Sequence, residues 1–413
     1  MLNSRRNQED PTGLWNLAER RGMPRRRFLQ LLVAGGASAV LAACGAGNAD
    51  EDAPAAEVAP ATGWFKDTGP FIAHDDGKSL EARLELMPGL ITPASHFFVR
   101  NNSTSVDVDA ASWRLRVEGD GVTNSALFSL EAIRALPTRT LTAYLECAGN
   151  HRAMFDRVQG RAAEGTQWGA GGIGNGEWTG AALRDVLDFV GLRPDAVSVL
   201  LVGLDVESPE RGFRRALPID KARHPDTLLA YALNGEPLPR DHGYPLRALI
   251  PGWVGASSIK WLDRIVVSSE KLWTRNNTTS YVLIGDDYPP EGDADGQPVT
   301  RQTVKSALAL PWPAELEAGS HRLQGYAQSP DGPIMRVEWS DDSGRTWYEA
   351  TVLDPQVQYS WARFEFAWEA REGEHTIMTR ATDAAGATQP DSVPFNRKGY
   401  LFNQPVPHPV TVT

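Results

Sequence analysis

Thiols are nearly absent: the 413-residue chain carries two cysteines, Cys44 and Cys147. Two thiols cannot build a four-thiolate zinc or iron–sulfur site. Cys44 lies in a segment that reads as an export signal, which leaves the folded body one thiol and no internal disulfide. A lone thiol is ordinarily a small buried packing residue, but it can also serve as one soft ligand to a metal held mainly by something else. Familiar catalytic signatures are missing too. The chain has no His-Glu-x-x-His, no Gly-x-Ser-x-Gly, no phosphate-loop lysine and no Cys-x-x-Cys-His. The glycine-rich run Gly169 to Gly176 lacks dinucleotide-binding spacing and follows no strong strand. A net charge of -11, with no long basic stripe in the body, argues against nucleic acid as a partner. The apolar run Leu31 to Ala43 is too short and too rich in small residues for a permanent membrane span, which needs ~20 apolar residues.

What is present begins with an address. Pro24-Arg25-Arg26-Arg27-Phe28-Leu29-Gln30 precedes the apolar run, which is the layout of a removable export signal of twin-arginine type over residues 1–44. Leu41-Ala42-Ala43-Cys44 resembles a bacterial lipoprotein cleavage box and would place a lipid on Cys44; the alternative is a cut near Ala43 that frees a soluble protein. Residues 45–63, rich in Ala, Asp, Glu and Pro, read as a flexible tether. The expected destination is the periplasm or the outer side of the cytoplasmic membrane.

The body divides by pattern. Over residues 64–285 strands and short helices interleave, which predicts an α+β domain. Ser129 to Pro137 reads as a helix with a serine cap, Thr179 to Gly191 as an amphipathic helix, and Leu141 to Leu145 as a strand delivering Cys147 to a loop. Val197 to Leu204, Arg247 to Ile250 and Ile265 to Val267 read as further strands. Residues 286–300, rich in Pro, Gly and Asp, read as a linker. Residues 301–413 show short alternating strands with turns between them, at Met335 to Trp339, Arg363 to Trp368 and Thr376 to Arg380. That pattern predicts an immunoglobulin-like β-sandwich.

Candidate chemistry lies in cations beside small polar residues. Arg100 closes the run His96-Phe-Phe-Val-Arg-Asn-Asn102, and Arg152 follows Cys147 by five positions. Guanidinium groups suit oxyanions because they donate paired hydrogen bonds. Singly, such an arginine defaults to a surface salt bridge, His242 to a satisfied turn histidine and Lys260 to a solvated strand edge.

Taken together, five ordered runs resemble the sulfite oxidase family of molybdenum enzymes: His96 to Asn102, Glu146 to Arg152, Gly171 to Leu187, Leu229 to Lys260, and Phe395 to Val412. The resemblance implies a mononuclear molybdenum held by molybdopterin and by one protein thiolate, here Cys147. It implies cofactor contacts from Val99, Arg100, Asn101 and Asn102, then from Asp205, His242, Arg247, Ser258, Ile259 and Lys260, some of them to the terminal phosphate. Arg100 and Arg152 would form the anion pocket, with Trp168 as a wall. Three positions depart from animal and plant members: Asn102 stands for histidine, Trp273 for a tyrosine near the metal, and Lys398 for a pocket arginine of the C-terminal domain. The implied reaction is oxidation of sulfite to sulfate by oxygen-atom transfer. Electrons would pass to a separate acceptor such as a periplasmic cytochrome, since the chain shows no haem segment. A homodimer through the C-terminal domain is implied as well. Two other readings stand: a sulfoxide reductase of the same superfamily, which usually lacks the sandwich, and a non-catalytic exported lipoprotein that binds a partner.

Overall fold

The computed structural model describes residues 63–413. The arginine-rich leader, the Cys44 box and the tether up to residue 62 lie outside the described residues. The body is α+β, and its two halves meet along a polar, buried seam.

In the first half, Thr138–Glu146 and Ile173–Ala182 form a long antiparallel pair, registered from Thr138 opposite Ala181 to Glu146 opposite Ile173. Leu228–Leu233 extends this sheet, with Arg247–Leu249 and Glu236–Pro237 pairing onto it. A second sheet runs in the order Ala126–Phe128, Leu115–Glu118, Leu262–Ser268, Ser198–Gly203 and Arg214–Pro218. The amphipathic helix Leu183–Val190 buries Leu183, Val186, Leu187 and Val190 in one core with Leu115, Val199, Leu201 and Ile265. Its periodicity set the helix correctly, but its first turn starts at Leu183, not Thr179. Thr179 to Ala182 stay in the sheet because Thr179 to Ala181 pair on both sides, with Thr140 and with Ala232 among others, and Ala182 pairs with Leu228. The Ser129 cap forms as read, its hydroxyl accepting the Ala132 amide at 3.2 Å. A small three-stranded sheet ends in Val99–Arg100 and aims the chain at the centre of the domain.

The second half is one eight-stranded sheet curled on itself, in the order Lys305–Leu308, Gly319–Gln328, Ala362–Ala370, Tyr348–Val352, Ile334–Ser340, Gly373–Asp383, His408–Val412, Ala314–Leu316. Tyr348–Val352 makes the fold-over: Thr351 and Val352 pair with one layer, Tyr348 to Ala350 with the other. Between the layers lies a core of Leu323, Val337, Phe364, Ile377 and Val410, supplied by strict alternation along Ala362–Ala370. The expected linker behaves differently from a spacer. Val282–Leu283 pairs with Gln297–Pro298, so the intervening residues are a hairpin excursion tied back by Asp295 N to Thr278 O at 2.8 Å.

The seam between halves centres on Glu146, the residue before Cys147. Its carboxylate accepts from Lys305 Nζ at 2.7 Å, Asn150 Nδ2 at 3.0 Å and Gln328 Nε2 at 3.3 Å. Gln302 Nε2 donates to its carbonyl at 2.9 Å. Both charged side chains are at most 1% exposed, so only a fully hydrogen-bonded pair can offset the desolvation.

Candidate active site

Cys147 is the first residue past its strand, and its amide bonds to Gly172 O at 2.8 Å. Opposite, the backbone of Gly255 presses on the same spot. A Cβ there would stand 2.8 Å from Glu146 O, so no larger residue fits without displacing the thiol loop. The two loops frame a cleft of about 690 Å³. Of the residues expected at the site, Cys147, Arg100, Asn101 and Asn102 line it from one side. Asp205, His242, Arg247, Ser258, Ile259 and Lys260 line it from the other. Among the described residues no three His, Cys, Asp or Glu gather as a metal cage, so a metal beside Cys147 would need the rest of its ligands from a bound group.

The end far from the thiol is crowded with donors. Arg247 spends its guanidinium on backbone oxygens: Nη1 to His242 O at 3.1 Å and Nη2 to Ser258 O at 2.9 Å. Lys260 Nζ donates to Asp241 O at 2.9 Å and to Asn101 Oδ1. Burial, then the neighbouring Arg247, pushes Lys260 well below its ordinary value. Burial alone pushes Arg247 down to about 9. His242 is held well below the usual imidazole range by burial and by Lys66, Lys260 and Arg247. The Asp241 carboxylate favours the Lys260 charge but makes no ion pair with it, being taken by the amides of Phe65 and Lys66 and by the Ser105 hydroxyl at 2.6 Å. Asp205 is turned to the Phe213 amide at 2.7 Å, and burial raises its pKa. Clustered cations seated on carbonyls, in a pocket whose walls penalise their charge, fit the phosphate of a molybdopterin.

The thiol end, which Arg100 and Tyr281 line, is of different make. Arg100 donates to Asn102 Oδ1 at 3.3 Å. Burial works against its charge, but Tyr281, Cys147 and Asp76 together hold its pKa above the ordinary value. Arg152 donates from Nε to Lys398 O at 2.8 Å and from Nη1 to Thr166 O at 2.7 Å. Its guanidinium lies over the Tyr400 ring at 5.0 Å. Tyr400 stacks on Tyr281, with centroids 5.4 Å apart and planes at 15°. Arg215, fully buried, stands over Tyr281 at 5.3 Å. Two guanidinium groups thus bracket two stacked phenols. Burial, then Tyr281, pushes the Tyr400 phenol above its usual range.

Five expected positions fall outside the cleft lining, the first being Arg152, which lies over the Tyr400 ring rather than on the cleft wall. Val99 turns its side chain into the apolar core, because strand alternation sends it opposite to Arg100. Trp168 is sealed behind the cleft, edge-on to Phe98, which does the lining. Trp273 lies outside, against Lys271 at 4.0 Å, and the tyrosine that lines the cleft is Tyr281. Lys398 offers its carbonyl to Arg152 while its ammonium pairs with Glu164 at 2.8 Å. Sequence reasoning missed Tyr281, Tyr400 and Arg215. No periodicity or motif marks them, although Tyr400 lies only two residues past Lys398.

Known proteins match this arrangement. The oxidoreductase molybdopterin binding domain matches residues 102–275, and the Mo-co oxidoreductase dimerisation domain matches residues 297–411. Sulfite oxidase of Gallus gallus is 35% identical over 349 residues, covering 80% of this chain and 74% of the relative. Sulfite oxidase of Arabidopsis thaliana is 33% identical over 352 residues, covering 77% and 88%. The mitochondrial sulfite oxidase of Drosophila melanogaster is 33% identical over 343 residues, a match covering 76% of this chain and 58% of that protein's length. Among solved structures, the sulfane dehydrogenase SoxCD of Paracoccus pantotrophus aligns with TM-score 0.71 and 26% identity, over 85% of this chain and 89% of the other.

Proposed function

The chain belongs to the sulfite oxidase family of molybdopterin oxidoreductases, and on that premise we propose that it oxidises sulfite to sulfate. Sulfite takes up the oxygen of one water and gives two protons and two electrons, and the electrons pass to a separate acceptor, a periplasmic cytochrome. The observation that carries the reading is the cleft itself, where one thiol stands beside Arg100 at one end and Lys260 and Arg247 crowd the other.

The bound molybdenum cofactor supplies the oxygen-transfer and two-electron chemistry. Cys147 would ligate the metal, and Arg247, Lys260, His242 and Ser258 would hold the phosphate. Arg100 draws the anionic substrate in and orients it by charge-assisted hydrogen bonds, and Arg152 adds positive charge from beside the Tyr400 ring. Tyr281 and Tyr400 close the pocket and exclude water around those charges. The purified full chain tests this: molybdenum and pterin content are measured, then sulfite-dependent reduction of ferricyanide and of a cytochrome. Full cofactor without sulfite turnover rejects the substrate, and absence of cofactor rejects the reading as a whole.

One observation favours a second substrate class. Stacked tyrosines border a pocket in which the Lys398 ammonium takes no part, which suits a less charged reduced sulfur compound. The structural likeness to a sulfane dehydrogenase agrees with this. Turnover with a sulfane-sulfur substrate compared with sulfite separates the two.

Export by the twin-arginine route to the periplasm or the outer side of the cytoplasmic membrane, and assembly as a homodimer through the C-terminal domain, belong to the same proposal. The basic leader and the matched dimerisation domain support them. Lipid on Cys44 is tested by mass spectrometry of the mature N-terminus; an unmodified start beyond Cys44 rejects it.

A further inference from the structure

The three-residue turn Arg240–His242 does more for the cleft than line it. Each of its carbonyls accepts from a side chain: Arg240 O from Trp261 Nε1 at 2.9 Å, Asp241 O from Lys260 at 2.9 Å, and His242 O from Arg247 at 3.1 Å. Both cations at the phosphate end are therefore seated on this one turn. The turn is held from behind by the first described segment of the chain. The Phe65 and Lys66 amides donate to the Asp241 carboxylate at 2.9 and 3.0 Å. The Arg240 guanidinium covers the Phe65 ring at 4.0 Å, and Gly63 O accepts the Ser105 amide at 2.8 Å.

Lys66 completes the fastening. Its Nζ reaches Ala94 O at 2.7 Å, Phe97 O at 2.8 Å and His242 Nε2 at 2.7 Å. An ammonium has three protons and no lone pair. While Lys66 is protonated all three are thereby placed, and His242 Nε2 accepts. The imidazole is then neutral with its own proton on Nδ1, as a ring that lines the cleft. Lys66 itself stands outside the cleft, so it acts through His242.

We propose that the strap Gly63–Lys66 is a positioning clasp for the anion-binding end of the cofactor cleft: it fixes the turn that seats Lys260 and Arg247, and it sets His242 as an Nδ1–H donor. This rests on the proposed molybdopterin site. It also makes the residues next to the tether part of cofactor retention, so that an emptied cleft and a loosened strap go together.

The test uses the full-length protein and its Lys66→Met variant. Pterin release is followed by fluorescence after dilution, and the His242 tautomer is read from imidazole ¹⁵N shifts, assigned with His242→Gln. Lys66→Met is expected to release pterin roughly 10- to 100-fold faster, the range for loss of a group that orients a ligand-holding histidine, and to lose the Nδ1–H signature. Equal release with an unchanged tautomer overturns the clasp alone. Wild-type protein that carries no pterin overturns both the clasp and the proposed function. Should the variant fail to fold, hydrogen exchange on wild-type protein decides. The Phe65 and Lys66 amides are expected to lose protection when the cofactor is stripped, and unchanged protection overturns the clasp.

Discussion

Lys305 and Lys260 hold their ammonium groups inside the same protein and face opposite circumstances. Lys305 meets a carboxylate, Glu146, with every other polar atom of that carboxylate bonded as well. Lys260 meets a carbonyl and an amide oxygen, with Arg247 close enough to disfavour its charge. The first arrangement is complete as it stands and locks two halves together. The second has no ion pair, only the more distant Asp241 and Asp205 carboxylates, and an incoming anion would complete it. A matched charge marks architecture here, and an unmatched one marks a binding site.

Substitutions can break or sharpen that contrast. Cys147 stands where the two regions meet, and Cys147→Ser should abolish sulfite turnover while circular dichroism and melting stay near wild type; retained turnover would remove it as the metal ligand. Next in size, Lys305→Met should destabilise the protein by about 3–5 kcal/mol, since it strands a buried carboxylate. Lys260→Met, measured by urea unfolding of cofactor-free protein, should be neutral or stabilising. If both variants destabilise alike, the contrast fails. Arg100→Ala should weaken sulfite by about 1.5–3 kcal/mol, read as kcat/KM.

A pH dependence follows from the same imbalance. Burial holds Lys66 at about 7 in the folded protein, against 10.5 for an ordinary lysine. Between those values the unfolded chain binds more protons than the folded one, so stability of the cofactor-free protein should rise with pH. The rise from this group is at most about 1.4 kcal/mol per pH unit, and Lys66→Met should flatten it in urea titrations. The smallest effect is expected at Lys398→Ala. Its ammonium pairs with an exposed glutamate, a contact worth at most about 1 kcal/mol, and KM for sulfite should not move.

Much of the cleft was legible in the sequence because its parts come in short runs with polar groups set in apolar strands. Arg100 to Asn102, Cys147, and the stretch from His242 to Lys260 converge as the runs imply. The misses share a cause. Tyr281 leads into the hairpin strand Val282–Leu283, and its place depends on pairing with Gln297–Pro298 rather than on spacing from the thiol. Trp273, eight positions earlier, carries the more conspicuous side chain but precedes the turn that brings the chain to the cleft. Lys398 was read for its charge, whereas the fold uses its carbonyl. Lys66 sits at the edge of a tether-like segment, and its ammonium hydrogen bonds all go to residues 28 or more positions away.

The loop that carries Lys398 and Tyr400 comes from the second half of the chain, yet Leu401 N bonds to Ala148 O at 3.0 Å and Gly399 packs under the stem of Arg152. A gene cut between the two matched domains would therefore divide the catalytic pocket itself. The first fragment would keep the thiol but lose the carbonyl and the ring that hold Arg152 in place. Swapping C-terminal halves among relatives would accordingly exchange part of the proposed substrate pocket together with the matched dimerisation domain.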